Sequence, residues 1–146
     1  MRAHAHPSPE TLAEAFVDYL VERASMIDDP ERARHVLRIA SWTGFVVKAI
    51  KNLPATGFRR GAVHQLEFDY KNRTFGVRYH HDTSGCGGLD IVEEPSDRRR
   101  TNDLVVVRIR TLADAEDVYK TLPARLEQLL AASAPSKKVA PAGSAV

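Results

Sequence analysis

The residues best suited to chemistry lie close together between positions 80 and 90. His80 and His81 precede a glycine-rich loop, residues 82–88, which holds the single cysteine, Cys86, and Asp90 follows. A histidine can activate a cysteine as a nucleophile, so His80, Cys86 and Asp90 form one candidate catalytic set. Adjacent strand residues point to opposite faces, so only one of the two histidines can serve. An ordinary loop thiol is the simpler interpretation, and since no spacing matches a zinc pattern we predict no metal and no cofactor.

A second candidate site is the outward face of a predicted sheet. Alternation along the strands places six charged or titratable side chains there: Glu67, Asp69, Arg78, His80, Asp90 and Arg108. Side chains of alternating sign suit cross-strand ion pairs, so a solvated set of such pairs is the simpler interpretation. The alternative is a ligand-binding or acid–base site, for which the candidates are Arg78, His80, Asp90 and Arg108.

A third candidate is a polar stripe on the second predicted helix. Arg34, Arg38 and Lys48 lie on this stripe, Phe45 interrupts it, and Trp42 lies at its edge. Aromatic side chains among cations are typical of surfaces that bind acidic proteins or nucleic acids. The third helix or a second copy of the chain would equally cover Phe45. These five residues are the predicted partner-binding set.

Two helices must carry this stripe and pack beside it. Ser8 before Pro9, and Asp29 before Pro30, each combine an N-cap residue with proline at the first helical position. They predict helices from Pro9 to Ile27 and from Pro30 to about Leu53. The second helix has a broad apolar face made of Val36, Ile39, Ala40, Thr43, Val46, Val47, Ile50 and Leu53.

Four strands and a last helix follow a loop at 55–57. The apolar period changes to two near His64, and we predict strands ending at Tyr70, over Thr74–His81, over Leu89–Glu93 and over Leu104–Arg110, with a tight turn at Lys71–Asn72. Thr111 caps a final helix that Pro123 should kink or split and that ends near Ala131. The predicted fold is therefore α+β: an N-terminal helical hairpin, a four-stranded antiparallel meander and a C-terminal helix packed on one sheet face (α-α-β-β-β-β-α).

Length and composition set the remaining limits. The 146 residues, 43% of them hydrophobic, predict one globular domain over residues 8–131, with a flexible arm at 1–7 and a disordered tail at 132–146. One cysteine excludes an intramolecular disulfide. With no apolar stretch long enough for a bilayer, we expect no membrane partner and a cytoplasmic location. The excess of Ala, Arg and Val over Lys, Asn and Ile is typical of a GC-rich bacterial genome.

The function predicted first is a non-enzymatic interaction module that binds a protein partner or a second copy of itself through the second helix. The main alternative is a small enzyme or ligand-binding protein that uses the outward sheet face and the glycine-rich loop. Nucleic-acid binding is a further alternative, which the net charge of +2 does not favour. The chain contains no phosphate loop, dinucleotide fingerprint or nucleophile elbow.

Overall fold

A computed structural model describes residues 8–61, 66–81, 87–94 and 104–138, with the side chains of 133–138 excepted. Two helices are followed by five strands and a third helix. The helices are α1 (Pro9–Ser25), α2 (Pro30–Lys51) and α3 (Leu112–Lys138). The strands are β1 (Thr56–Arg60), β2 (Leu66–Tyr70), β3 (Arg73–His80), β4 (Gly88–Glu93) and β5 (Leu104–Ile109).

Side-chain caps begin all three helices where the sequence predicted. The Ser8 hydroxyl accepts a hydrogen bond from the Thr11 N–H at 3.1 Å, and the Asp29 carboxylate accepts one from the Glu31 N–H at 3.1 Å. At α3 the Thr111 hydroxyl accepts from the Asp114 N–H at 3.1 Å. Each cap satisfies a backbone donor that the first helical turn leaves unpaired.

Helix α3 is longer and more continuous than its sequence predicts. It runs through Pro123 as one helix and continues to Lys138, beyond the expected end near Ala131. The expected split at Pro123 is therefore wrong. Buried Leu122 and Leu126 lie on either side of the proline, and packing of an apolar helix face outweighs the local preference of one residue.

The sheet has five strands rather than the predicted four. Strand β1 includes part of the expected 55–57 loop and pairs antiparallel with β2. Its sequence lacks an apolar alternation because it contains Gly57 and two arginines, and Gly57 adopts a positive φ of 65°. A Cβ at Gly57 would lie 2.4 Å from an Asp69 carboxylate oxygen. Glycine therefore fits both the backbone conformation and the narrow space.

The strands form an antiparallel meander in the order β1-β2-β3-β4-β5. Lys71 and Asn72 both have positive φ, at 51° and 65°, and form the predicted tight turn between β2 and β3. In the helical layer α2 contacts both α1 and α3, and each helix also contacts the sheet. The α+β class and the antiparallel sheet are thus confirmed.

One apolar core lies between the helical layer and the inner face of the sheet. Phe68 and Phe75 stack at its centre, with ring centroids 5.7 Å apart, beneath Phe16 of α1 and Ile39 of α2. At the edge of this core, Arg23 of α1 places its guanidinium 5.3 Å from the centre of the Tyr79 ring. A cation over an aromatic face offsets part of the cost of its burial.

Both edge strands carry a bulge, whereas the pairings of β2 with β3 and of β3 with β4 are regular. On β1 the register shifts between Thr56 and Arg59. On β5, Ile91 pairs with Val107 and Val92 with Val105, so Val106 is an extra residue. A bulge twists an edge strand and hinders its pairing with another chain.

Two glycines offer a matched test of this packing. A Cβ at Gly88 would lie 2.0 Å from the Ile109 carbonyl oxygen, whereas one at Gly44 on α2 meets nothing within 4 Å. We expect Gly88→Ala to lower the free energy of unfolding by about 1–3 kcal/mol and Gly44→Ala to raise it by about 1 kcal/mol. Urea unfolding followed by circular dichroism measures both, and equal stability of the two variants would contradict the β4–β5 contact.

Candidate functional site

The outward face of the sheet brings together the predicted ligand-binding residues. Asp90 on β4 pairs in register with Arg78 on β3 and with Arg108 on β5. His80 lies two residues beyond Arg78 on the same face and pairs with Gly88. The sequence alternation thus placed these four side chains correctly on one face.

Asp90 is the buried centre of this group. Its side chain is only 8% exposed, and its carboxylate accepts a hydrogen bond from Nη1 of Arg110 at 2.9 Å. The same nitrogen donates to the Leu89 carbonyl at 3.1 Å. Nδ1 of His80 lies 3.7 Å from the other carboxylate oxygen of Asp90. A buried carboxylate requires such a partner, because an uncompensated charge is costly to bury.

Arg110 is a member of this site that the sequence pattern did not predict. The available signal was its position two residues after Arg108, which places both on the same face of β5. Gly88 makes the contact possible, because the Cδ of Arg110 lies 3.2 Å from the position that a Gly88 Cβ would take. The arginine therefore crosses the strand over a residue without a side chain.

Only part of the candidate catalytic set can be described. The structure places His80 beside Asp90, but Cys86 lies outside the described residues. His81 has its ring 6.2 Å from that of Tyr79, a core-facing residue. The two neighbouring histidines therefore do face different surroundings, as strand geometry requires.

On the β1–β2 side of the same face, two carboxylates of β2 pair with an arginine of β1. Arg59 bridges two carboxylates, with Nε 3.1 Å from Glu67 and Nη1 3.1 Å from Asp69. Hydrogen bonds from Arg59, and a further one from the Thr74 hydroxyl, lower the pKa of Asp69. Arg59 was missed because β1 itself was not predicted.

Glu94 is a further acidic residue that the sequence analysis did not single out. Its N–H donates to the Thr74 carbonyl at 2.9 Å, which continues the β3–β4 pairing by one residue. Burial, followed by a hydrogen bond with Glu67 and repulsion from its charge, raises the pKa of Glu94 to about 7. Two carboxyl groups that share a site cannot both ionise readily.

The opposite surface of the molecule is formed by the helical layer. Phe45 is 37% exposed there, and Arg34, Arg38 and Lys48 are exposed on the same helix. Trp42 is not part of this surface. It is 2% exposed and packs in the core, because at 100° per residue it lies on the same side of α2 as the buried Ile39 and Val46.

Two grooves meet at Phe45. A groove of about 540 Å³ lies between α1 and α2, and one of about 370 Å³ lies between α2 and α3. Phe45 and Lys48 line both grooves, and the exposed Tyr119 lines the second. Phe45 therefore forms a ridge with a depression on each side.

A hydrogen bond connects α2 with the chain segment that leads into β4. Nε2 of His35 lies 3.0 Å from the Gly87 carbonyl oxygen. The His35 ring also meets Trp42 edge-on, with the ring centroids 6.3 Å apart. The start of β4 is thereby fixed to the helical layer.

Comparison with known proteins identifies no relative: no protein-family model, curated protein or solved structure matches this chain. In the described part of the chain, no group of three His, Cys, Asp or Glu side chains is arranged to hold a metal ion. No described helix is both long and apolar enough to cross a membrane.

The raised pKa of Glu94 predicts a pH-dependent stability. Between pH 4.5, the ordinary value, and pH 7 the folded protein retains a proton that the unfolded chain releases, so its stability falls as the pH rises. Glu94→Gln cannot lose this proton. We expect the variant to gain stability relative to the wild type from pH 5 to pH 8, measured by urea unfolding.

Glu127→Gln, at an exposed position of α3, is the control for removal of one negative charge. It should follow the wild-type pH dependence. If Glu94→Gln also followed it, the proton shared with Glu67 would be excluded as its cause.

Proposed function

We propose that this protein is a non-enzymatic interaction module that binds its partner through the outer surface of the helical layer. The observation that supports this proposal is the position of Phe45, an exposed aromatic ridge between two grooves. A large aromatic side chain flanked by depressions is a common anchor in protein interfaces. Tyr119, 54% exposed on α3, extends the apolar part of this surface.

The edges of the sheet are less suited to binding a protein. A partner that adds a strand requires a regular edge with free backbone groups. Here both edge strands are bulged, and β1 also carries two arginines. This leaves the faces of the molecule as the favoured binding surfaces.

The charges on the helical surface support a second copy of the chain as the partner. Exposed Lys48 of α2 lies between Glu14 on the α1 side and Glu116 on the α3 side, because it lines both grooves. This arrangement is self-complementary: when one copy places its α2 over a groove of the other, the cations of α2 meet the acidic residues beside that groove. A two-fold arrangement of this kind avoids direct contact between the cations of the two α2 helices.

The two alternative functions have less support. For nucleic-acid binding, the cations of α2 lie on the helical surface whereas Arg78 and Arg108 lie on the sheet. Three consecutive arginines, at 98–100, lie outside the described residues. A continuous cationic path is therefore not evident in the described part of the chain. For catalysis, the described residues supply only His80 beside Asp90.

Light scattering coupled to size exclusion tests the proposal on the wild type and on Phe45→Glu. We expect a wild-type dimer that Phe45→Glu converts to monomer, since a buried carboxylate in the interface would lack a partner. Met26→Glu is the matched control, because Met26 is 71% exposed at the end of α1 and lines neither groove. This control should remain a dimer.

Circular dichroism establishes that all three proteins are folded. A monomeric wild type would exclude self-association as the function of this surface. Affinity capture with the three proteins would then decide between the surfaces: identical sets of bound proteins for wild type and Phe45→Glu would overturn the proposed interaction module.

A further inference from the structure

The β3–β5 part of the outward sheet face carries more positive than negative charge. Three arginines, at 78, 108 and 110, lie around the carboxylate of Asp90, and the other carboxyl group in this part of the face, Glu94, interacts with Arg78. Arg110 is committed to that carboxylate and to the Leu89 carbonyl. Arg108 is exposed and has no hydrogen-bond or ion-pair partner in the described part of the chain. One charge of the group is thus available to a ligand.

We propose that Arg108 and His80, set beside the buried Asp90–Arg110 pair, bind the oxyanion group of a small molecule, a phosphate or a carboxylate. This inference concerns the face opposite the helical layer and does not depend on the proposed interaction surface. It gives a ligand class to residues for which the sequence predicted only a ligand-binding role.

The geometry favours a small anion in two ways. Asp90 and Arg110 hold each other in place beneath the surface, so the floor of the site is rigid and its charges are already satisfied. Arg108 on β5 lies directly across from Asp90 of β4. His80, with 42% of its side chain exposed, is on β3, on the other side of β4. Both can donate hydrogen bonds to an oxyanion.

The glycine at position 88 lets Arg110 lie between these two donors. Gly88 pairs with His80, and the Cδ of Arg110 lies 3.2 Å from the position that a Gly88 Cβ would take. The close approach of the Ile109 carbonyl prevents any larger residue there. The site is therefore bounded by Arg108 and His80, with the Arg110 side chain, held by Asp90, between them.

Calorimetric titration with sodium phosphate and, separately, with sodium succinate tests the proposal on the full chain. Sodium chloride holds the ionic strength constant, so that general screening does not count as binding. We expect at least one anion to bind, and Arg108→Gln to weaken that binding about tenfold, as for loss of one hydrogen bond to a charged group. Arg125→Gln, an exposed arginine on α3, should bind like the wild type.

Each outcome has a definite meaning. Binding of phosphate alone assigns the site to a phosphate-bearing ligand, and binding of succinate alone assigns it to a carboxylate. Absence of binding by both anions, or equal affinity of wild type and Arg108→Gln, overturns the proposal. A single-stranded oligonucleotide that binds through Arg108 where both small anions fail would also overturn it.

Discussion

The packing of α2 determines which side chains the helical layer exposes. The helix packs between α1 and α3 and against the sheet, so that Ile39, Val46 and Ile50 are fully enclosed. The residues of α2 that remain exposed include Phe45, of which the fold itself leaves 37% uncovered.

In the sheet, the strand register determines which charged residues lie side by side. The resulting ion pairs differ in burial. Arg73 and Glu93 lie toward the core, with Nε and Oε2 2.6 Å apart, whereas Arg59 and Asp69 are partly exposed on the outward face. Buried pairs cost desolvation, which close hydrogen-bonded geometry offsets. The outward face is also polarised, with the carboxylates Glu67 and Asp69 on β2 and Arg108 on β5.

Local signals were sufficient to predict much of this structure. Helix caps and strand alternation depend only on residues close in sequence. The caps at Ser8 and Asp29 therefore predicted the helix starts, and the alternation through Asp90 and Arg108 predicted the shared sheet face. Tertiary effects account for what was missed. Strand β1 has no apolar pattern and exists because β2 supplies its partner. Trp42 is buried by elements distant in sequence, and the high pKa of Glu94 arises from burial and from Glu67, two strands away.

The meander order also bears on how the chain reaches this fold. Every strand pairs with the strand next to it in sequence, so the sheet can grow by successive short-range closures, each of small entropic cost. Packing of α3 on α2 is different, since it joins the two ends of the domain around the completed sheet. The helical surface therefore becomes complete only with that contact. A chain still emerging from the ribosome, with α3 unfinished, would present neither the second groove nor the full ridge.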